Sequence, residues 1–193
     1  MMRIGAVILA AGGSSRLGQP KQLLVLDGEP LLRRIARSAV ETGASPVVVV
    51  LGAVLDPCRN ALEGLDVRMV ENPRWQDGMG TSVATGVAAL GKVDAAMLLV
   101  CDQPGITLGA LRRLIAAFTG PHVIAARYAG TIGTPAIFPS THFSALCELS
   151  GDTGARRLLR QNGGDVIVLD LPEAELDVDT EWDWAKIRRN QPD

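Results

Sequence analysis

The stretch VILAAGGSSRLGQPKQLL, residues 7–24, carries an apolar run into a Gly-Gly-Ser-Ser turn, then places Arg16 and Lys21 just beyond it. Small residues let successive backbone N–H groups converge on oxygen, and two cations neutralise negative charge. The pattern fits a phosphate chain, although residue types alone also allow a turn with two solvated cations. Two familiar phosphate loops fail. Gly13 and Gly18 satisfy half of a G-x-x-x-x-G-K-[ST] loop, but Gln19 and Pro20 stand where Lys and Ser or Thr are required. Gly12-Gly13-Ser14-Ser15-Arg16 lacks the G-x-G-x-x-G spacing of a dinucleotide site.

A carboxylate follows in LLVCDQPGI, residues 98–106, where Asp102 closes an apolar run just before a turn. There it serves either a magnesium ion bridging phosphates or a cap on the turn before Pro104. ELDVDTEWDW, residues 175–184, adds Asp177 and Asp179, which share one face of an extended segment. Asp179 is the stronger second metal contact and Asp177 the weaker, while Asp179 or Thr180 also suits the cap of a final helix.

These groups need rigid carriers. Residues 3–10, 46–52, 95–101 and 122–126 are continuously apolar and read as strands covered on both faces. Residues 30–43, 81–90 and 107–118 read as helices, the first between Pro30 and Gly43 and the last opened by Thr107. Alternating strands and helices predict an α/β fold, a mostly parallel sheet with helices on both faces and right-handed crossovers. The first loop then leaves the carboxyl edge of the sheet, where open α/β folds bind ligands. After about residue 130 the rhythm changes. Residues 130–139 are rich in turn formers, 151–163 read as a loop running into a helix, 165–172 as a strand, and 175–189 as a short extended piece and a closing helix. No linker, repeat or low-complexity tract interrupts the chain, which predicts one domain over residues 1–193.

Composition narrows the function classes. The chain has 193 residues, 47% hydrophobic and 21% charged, as an ordinary globular protein does. A net charge of −2 argues against a nucleic-acid partner. No apolar run reaches the roughly 18–20 residues that span a membrane. The early run IGAVILAA has no A-x-A-like cleavage site and reads as a first strand. Cys58, Cys101 and Cys147 are far apart, and with His122 and His142 they offer no zinc or iron–sulfur spacing. Reduced thiols in the cytoplasm are the expectation.

The ordered set L-A-A-G-G-S-S-R-L-G-x-x-K, C-D-Q-P, G-T-P-A-I-F, G-D-T-G-A-R and D-V-D-T, with ENPRWQDGMGTSV at 71–83, resembles the MobA-like nucleotidyltransferase superfamily. Within it, the chain is similar to the molybdenum cofactor cytidylyltransferases over residues 4 to about 187. The resemblance implies a single Rossmann-like nucleotidyltransferase domain and Mg2+-dependent transfer of CMP from CTP to the terminal phosphate of molybdopterin. An apo-molybdenum hydroxylase is the expected recipient if the protein only binds the cofactor and passes it on. Ala10, Ala11, Gly12 and Gly13 would line the nucleotide, and Arg16 and Lys21 would hold its triphosphate. Asp102 and Asp179 would bind the metal. Ser82, Asp152 and Arg156 would contact the base, the cofactor phosphate or the molybdopterin side. Related cytidylyltransferases often carry G-H-P where this chain has Gly133-Thr134-Pro135, which bears on the second substrate. GTP in place of CTP, or a cofactor-handling role with little turnover, are the rival expectations, and a nicotinamide- or flavin-dependent oxidoreductase is a more distant one.

Overall fold

The computed structural model describes residues 2–152, 154–161 and 165–189. Thr153 and residues 162–164 of the expected loop and helix lie outside them, as do Met1 and 190–193. Strands β1 (Ile4–Ala10), β4 (Val47–Leu51), β5 (Arg68–Glu71), β6 (Ala95–Val100), β7 (Val123–Tyr128), β8 (Thr131–Pro139) and β9 (Val166–Asp170) form one sheet. Its order is β5-β4-β1-β6-β8-β7-β9, and a short hairpin, β2 (Val25–Leu26) with β3 (Glu29–Pro30), stands apart. Among the described residues, β8 runs against its neighbours β6 and β7 and the other pairs of this sheet are parallel.

The expected central strands are buried on both sides because successive side chains alternate between two cores. Ala6, Ile8 and Ala10 pack with α1 (Leu31–Glu41), α2 (Leu55–Ala61) and α4 (Leu108–Ala117). Val7 and Leu9 pack with α3 (Met79–Ala88), α5 (Phe143–Cys147) and α6 (Arg156–Gln161). Helices therefore cover both faces, as expected. Thr107 caps α4 through its hydroxyl, which accepts from the Ala110 N–H at 3.3 Å. A third cluster joins Leu17, Leu24, Leu26 and Leu31 to Val178 and to Ile187 of α7 (Glu181–Arg189). No described helix is long and apolar enough to cross a membrane.

One segment departs from its sequence reading. Residues 130–139, rich in turn formers, run into the nine-residue strand β8. The register of β7 against β8 jumps from Ala125 opposite Ala136 to Ala126 opposite Gly133. Thr134 and Pro135 are thus left out of the ladder, a bulge that tolerates the missing proline N–H. Turn-forming residues here mark a bulge inside a strand, and it opens toward the carboxyl edge of the sheet.

Candidate active site

The loop after β1 is held in shape by a side chain that sequence reading did not single out. Gln22, fully buried, donates its amide N–H groups to the carbonyls of Ala10 at 2.9 Å and Gly12 at 2.7 Å. The Ser14 hydroxyl accepts from the Lys21 backbone N–H at 3.0 Å and itself donates to Gln22. With two of its carbonyls tied back, the loop leaves Gly12 and Gly13 exposed, while Ala10 and Ala11 stay buried.

Lys21 is the centre of the charged network. Its ammonium donates to Asp102 in a short contact and to Asp179 Oδ1 at 3.4 Å, and Arg16 reaches Asp179 Oδ2 at 3.1 Å. Burial works against the Lys21 charge, but the Asp102 carboxylate outweighs it, so the lysine pKa lies above its ordinary value. Asp102 follows β6, and its carbonyl accepts from the Val178 N–H at 2.9 Å. That backbone bond, with Val178 fully buried, brings the D-V-D-T segment to the end of β6 with its two aspartates on the cavity side.

The final helix is capped by Thr180. Its hydroxyl accepts from the Asp183 N–H at 3.2 Å, and Asp183 Oδ2 accepts in return from the Thr180 N–H at 2.8 Å. This reciprocal arrangement satisfies the first turn and leaves the Asp179 carboxylate to the cations. Asp177 is pushed up to about 6, first by burial and then by the charge of Asp102.

These residues line a cavity of about 610 Å³. Arg16, Lys21, Asp102, Asp177 and Asp179 lie on its wall together with Asp152, Arg156, Arg157 and Arg160. Leu9, Val83, Leu98 and Val100 supply apolar surface, and Gln103, Tyr128 and Thr134 add polar groups. Of the residues expected from the sequence, the cavity brings together Arg16, Lys21, Asp102, Asp152, Arg156, Asp177 and Asp179. Ala10 to Gly13 form the neighbouring loop rather than the lining. Ser82 lies in α3, buried, with its hydroxyl accepting from Asn72 at 2.9 Å, and it does not line the cavity. The preceding Gly78 instead serves the wall. At φ 104° it sits so close to the 151–152 turn that a Cβ would stand 2.2 Å from the Gly151 carbonyl carbon. This packing sets the turn that carries Asp152.

Sequence reading missed Gln22, Gln103, Tyr128, Arg157 and Arg160. Gln22, Gln103 and Arg157 directly follow the expected residues Lys21, Asp102 and Arg156 in the chain, the local signal they offered.

Among the described residues, no group of three or more His, Cys, Asp or Glu side chains is arranged as a metal site. The donor chemistry nevertheless suits a hard divalent cation. Asp102 and Asp179 converge on one ammonium, a cation already seated between two carboxylates. Magnesium is commonly bound by one or two carboxylates, with substrate phosphates and water completing its shell.

Residues 6–166 match the MobA-like NTP transferase domain. The nicotine blue oxidoreductase of Paenarthrobacter nicotinovorans is 31% identical over 189 residues, 92% of each chain. The purine catabolism protein PucB of Bacillus subtilis is 31% identical over 199 residues, 95% of each. Rv0371c of Mycobacterium tuberculosis, solved in complex with manganese, superposes with a TM-score of 0.79 at 30% identity, covering 98% of this chain and all of that one.

Proposed function

The chain belongs to the MobA-like NTP transferase family, and on that premise we propose that it transfers CMP from CTP to the terminal phosphate of molybdopterin. Pyrophosphate leaves, and molybdopterin cytosine dinucleotide is formed. In this reading residues 1–193 are one nucleotidyltransferase domain. One observation carries the proposal: a single cavity joins the Arg16–Lys21–Asp102–Asp179 network to a wall bearing Asp152 and Arg156. A nucleotidyl transfer brings two anions together, so it needs cations and alignment more than covalent help.

The attacking phosphate oxygen is already ionised at neutral pH. It forms a bond to the α-phosphorus of CTP as the bond from that phosphorus to the β-phosphate oxygen breaks. No general base is required, and no described histidine lines the cavity. Ala10 to Gly13 offer backbone groups to the nucleotide, while Lys21 and Arg16 exchange their carboxylate partners for its triphosphate. Asp102 and Asp179 would hold Mg2+, which when bound neutralises charge on the reacting phosphates. Arg156, with a planar fork suited to phosphate, grips the acceptor, and Asp152 lies beside it.

A nucleotide panel with magnesium and molybdopterin, following pyrophosphate, tests this reading. CTP should support release, and GTP should support far less. A GTP preference would make the protein a guanylyltransferase of the same fold. No release with either, but stable molybdopterin binding and delivery to an apo-molybdenum hydroxylase, would make it a cofactor-handling partner. The likeness to nicotine blue oxidoreductase favours a second reading, an oxidoreductase. Oxidation of NADH or NADPH without pyrophosphate release would replace the proposal with it.

A further inference from the structure

The cavity contains a hydroxyl whose hydrogen has no acceptor among the described residues. Tyr128 ends β7 and is 5% exposed, and it lines the cavity between Gln103 and Arg156. Its oxygen accepts from Gln103 Nε2 at 3.3 Å and from Arg156 Nη2 at 3.3 Å. Neither bond can be reversed. Arginine only donates, and the Gln103 amide is fixed because the same Nε2 also donates to the Ala174 carbonyl at 2.9 Å. A phenol oxygen has two lone pairs and one hydrogen, so both lone pairs are engaged and the hydrogen points elsewhere. Among the described residues none accepts it.

The neighbouring backbone makes room for this arrangement. A Cβ at Gly133, beside the β8 bulge, would stand 2.7 Å from the Tyr128 hydroxyl and 3.3 Å from Arg156 Nε. The phenol and the guanidinium therefore meet over a position that a side chain would block.

We infer that the Tyr128 hydroxyl donates to an anionic phosphate oxygen of the acceptor, beside Arg156, and so selects a phosphorylated second substrate. The inference takes the acceptor's identity from the transferase reading, but the anion site stands on its own geometry. Arg156 supplies charge, and Tyr128 supplies a directed, charge-assisted hydrogen bond. Gln103 holds the phenol in place from behind, anchored on Ala174.

Tyr128 is the single tyrosine of the chain, so fluorotyrosine labelling gives one resonance that reports on it alone. Inorganic phosphate, titrated into the labelled full-length protein saturated with CTP, should shift that resonance saturably. Calorimetry on Tyr128→Phe should show phosphate binding weakened about ten-fold or more, as expected when a hydrogen bond to a charged group is lost. Arg156→Gln, at an exposed position, should weaken it as well. The absence of a phosphate-dependent shift in the otherwise native protein would overturn the inference, whatever the stability of the variants. Tyr128→Phe with unchanged phosphate affinity would do the same. If pyrophosphate release fails while the phosphate shift persists, the transferase reading falls and the anion site remains.

Discussion

Asp179→Asn separates two roles that the D-V-D-T segment combines. The Asp179 side chain is 41% exposed and pairs with Arg16, itself 72% exposed, and with Lys21. Exposed ion pairs contribute about 0–1 kcal/mol, so the substitution should lower the unfolding midpoint by no more than about 4 °C in a chain of this size. Helix capping is untouched, because Thr180 and Asp183 make the cap. Magnesium should respond very differently, since Asn removes the charge that draws a hard cation. The half-saturating concentration for pyrophosphate release should rise at least about ten-fold, equivalent to about 1.4 kcal/mol. Thr180→Ala is the mirror experiment. It removes the cap at about 1 kcal/mol, or roughly 2–4 °C, and should leave the magnesium requirement unchanged. The two variants measured side by side give a crossed pattern. Asp179→Asn with wild-type half-saturation would refute the metal role and leave Asp179 as an ion-pair partner of Arg16 and Lys21.

Lys21→Met should slow pyrophosphate release by about 100-fold or more, because it removes the charge facing the reacting phosphates; activity within a few-fold of wild type would leave Lys21 as only the counter-ion of Asp102 and Asp179. Asp177→Asn should stabilise the metal-free protein increasingly as pH rises from about 4 to 7. The carboxyl is held near 6 when folded, against an ordinary value of 3.8, so the native state binds the extra proton in that window and wild type loses stability as it leaves. With the side chain part exposed, the gain at pH 7 should be about 1 kcal/mol, read as a difference in midpoint that vanishes at low pH. Gly78→Ala should cost about 2 kcal/mol or more, from the positive φ and the clash with Gly151, and should raise the acceptor KM more than the CTP KM. Equal effects on both substrates would mean that the 151–152 turn does not shape the acceptor wall.

How far the fold could be read depended on where its information is stored. The central strands were legible because a strand covered on both faces must be apolar at every position, and 47–51 and 95–100 are. β5 was not. It is an edge strand with mostly exposed residues, including Arg68 and Glu71, so no apolar pattern marks it. β8 was hidden by Gly133 and Pro135, whose turn-forming chemistry serves a bulge within the ladder. A residue type states what the backbone can do locally, whereas register states what the neighbours require of it.

The site divides along the same line. Arg16, Lys21, Asp102 and Asp179 were legible because charge at the end of an apolar run needs a reason, and a cavity at the carboxyl edge supplies one. Their mutual contact was not, because it is made by long-range bonds that leave no local pattern: Val178 N–H to the Asp102 carbonyl, and Gln22 to the loop carbonyls. Gln22 and Tyr128 illustrate the limit most clearly. Each is buried and each owes its importance to partners distant in the chain: the loop carbonyls for Gln22, and Gln103 and Arg156 for Tyr128. A polar side chain enters a core only when its hydrogen-bonding groups are met. Gln22 meets that condition within the protein, which makes it a strut. Among the described residues Tyr128 meets it only as an acceptor, and its spare donor is what the inferred phosphate contact would use.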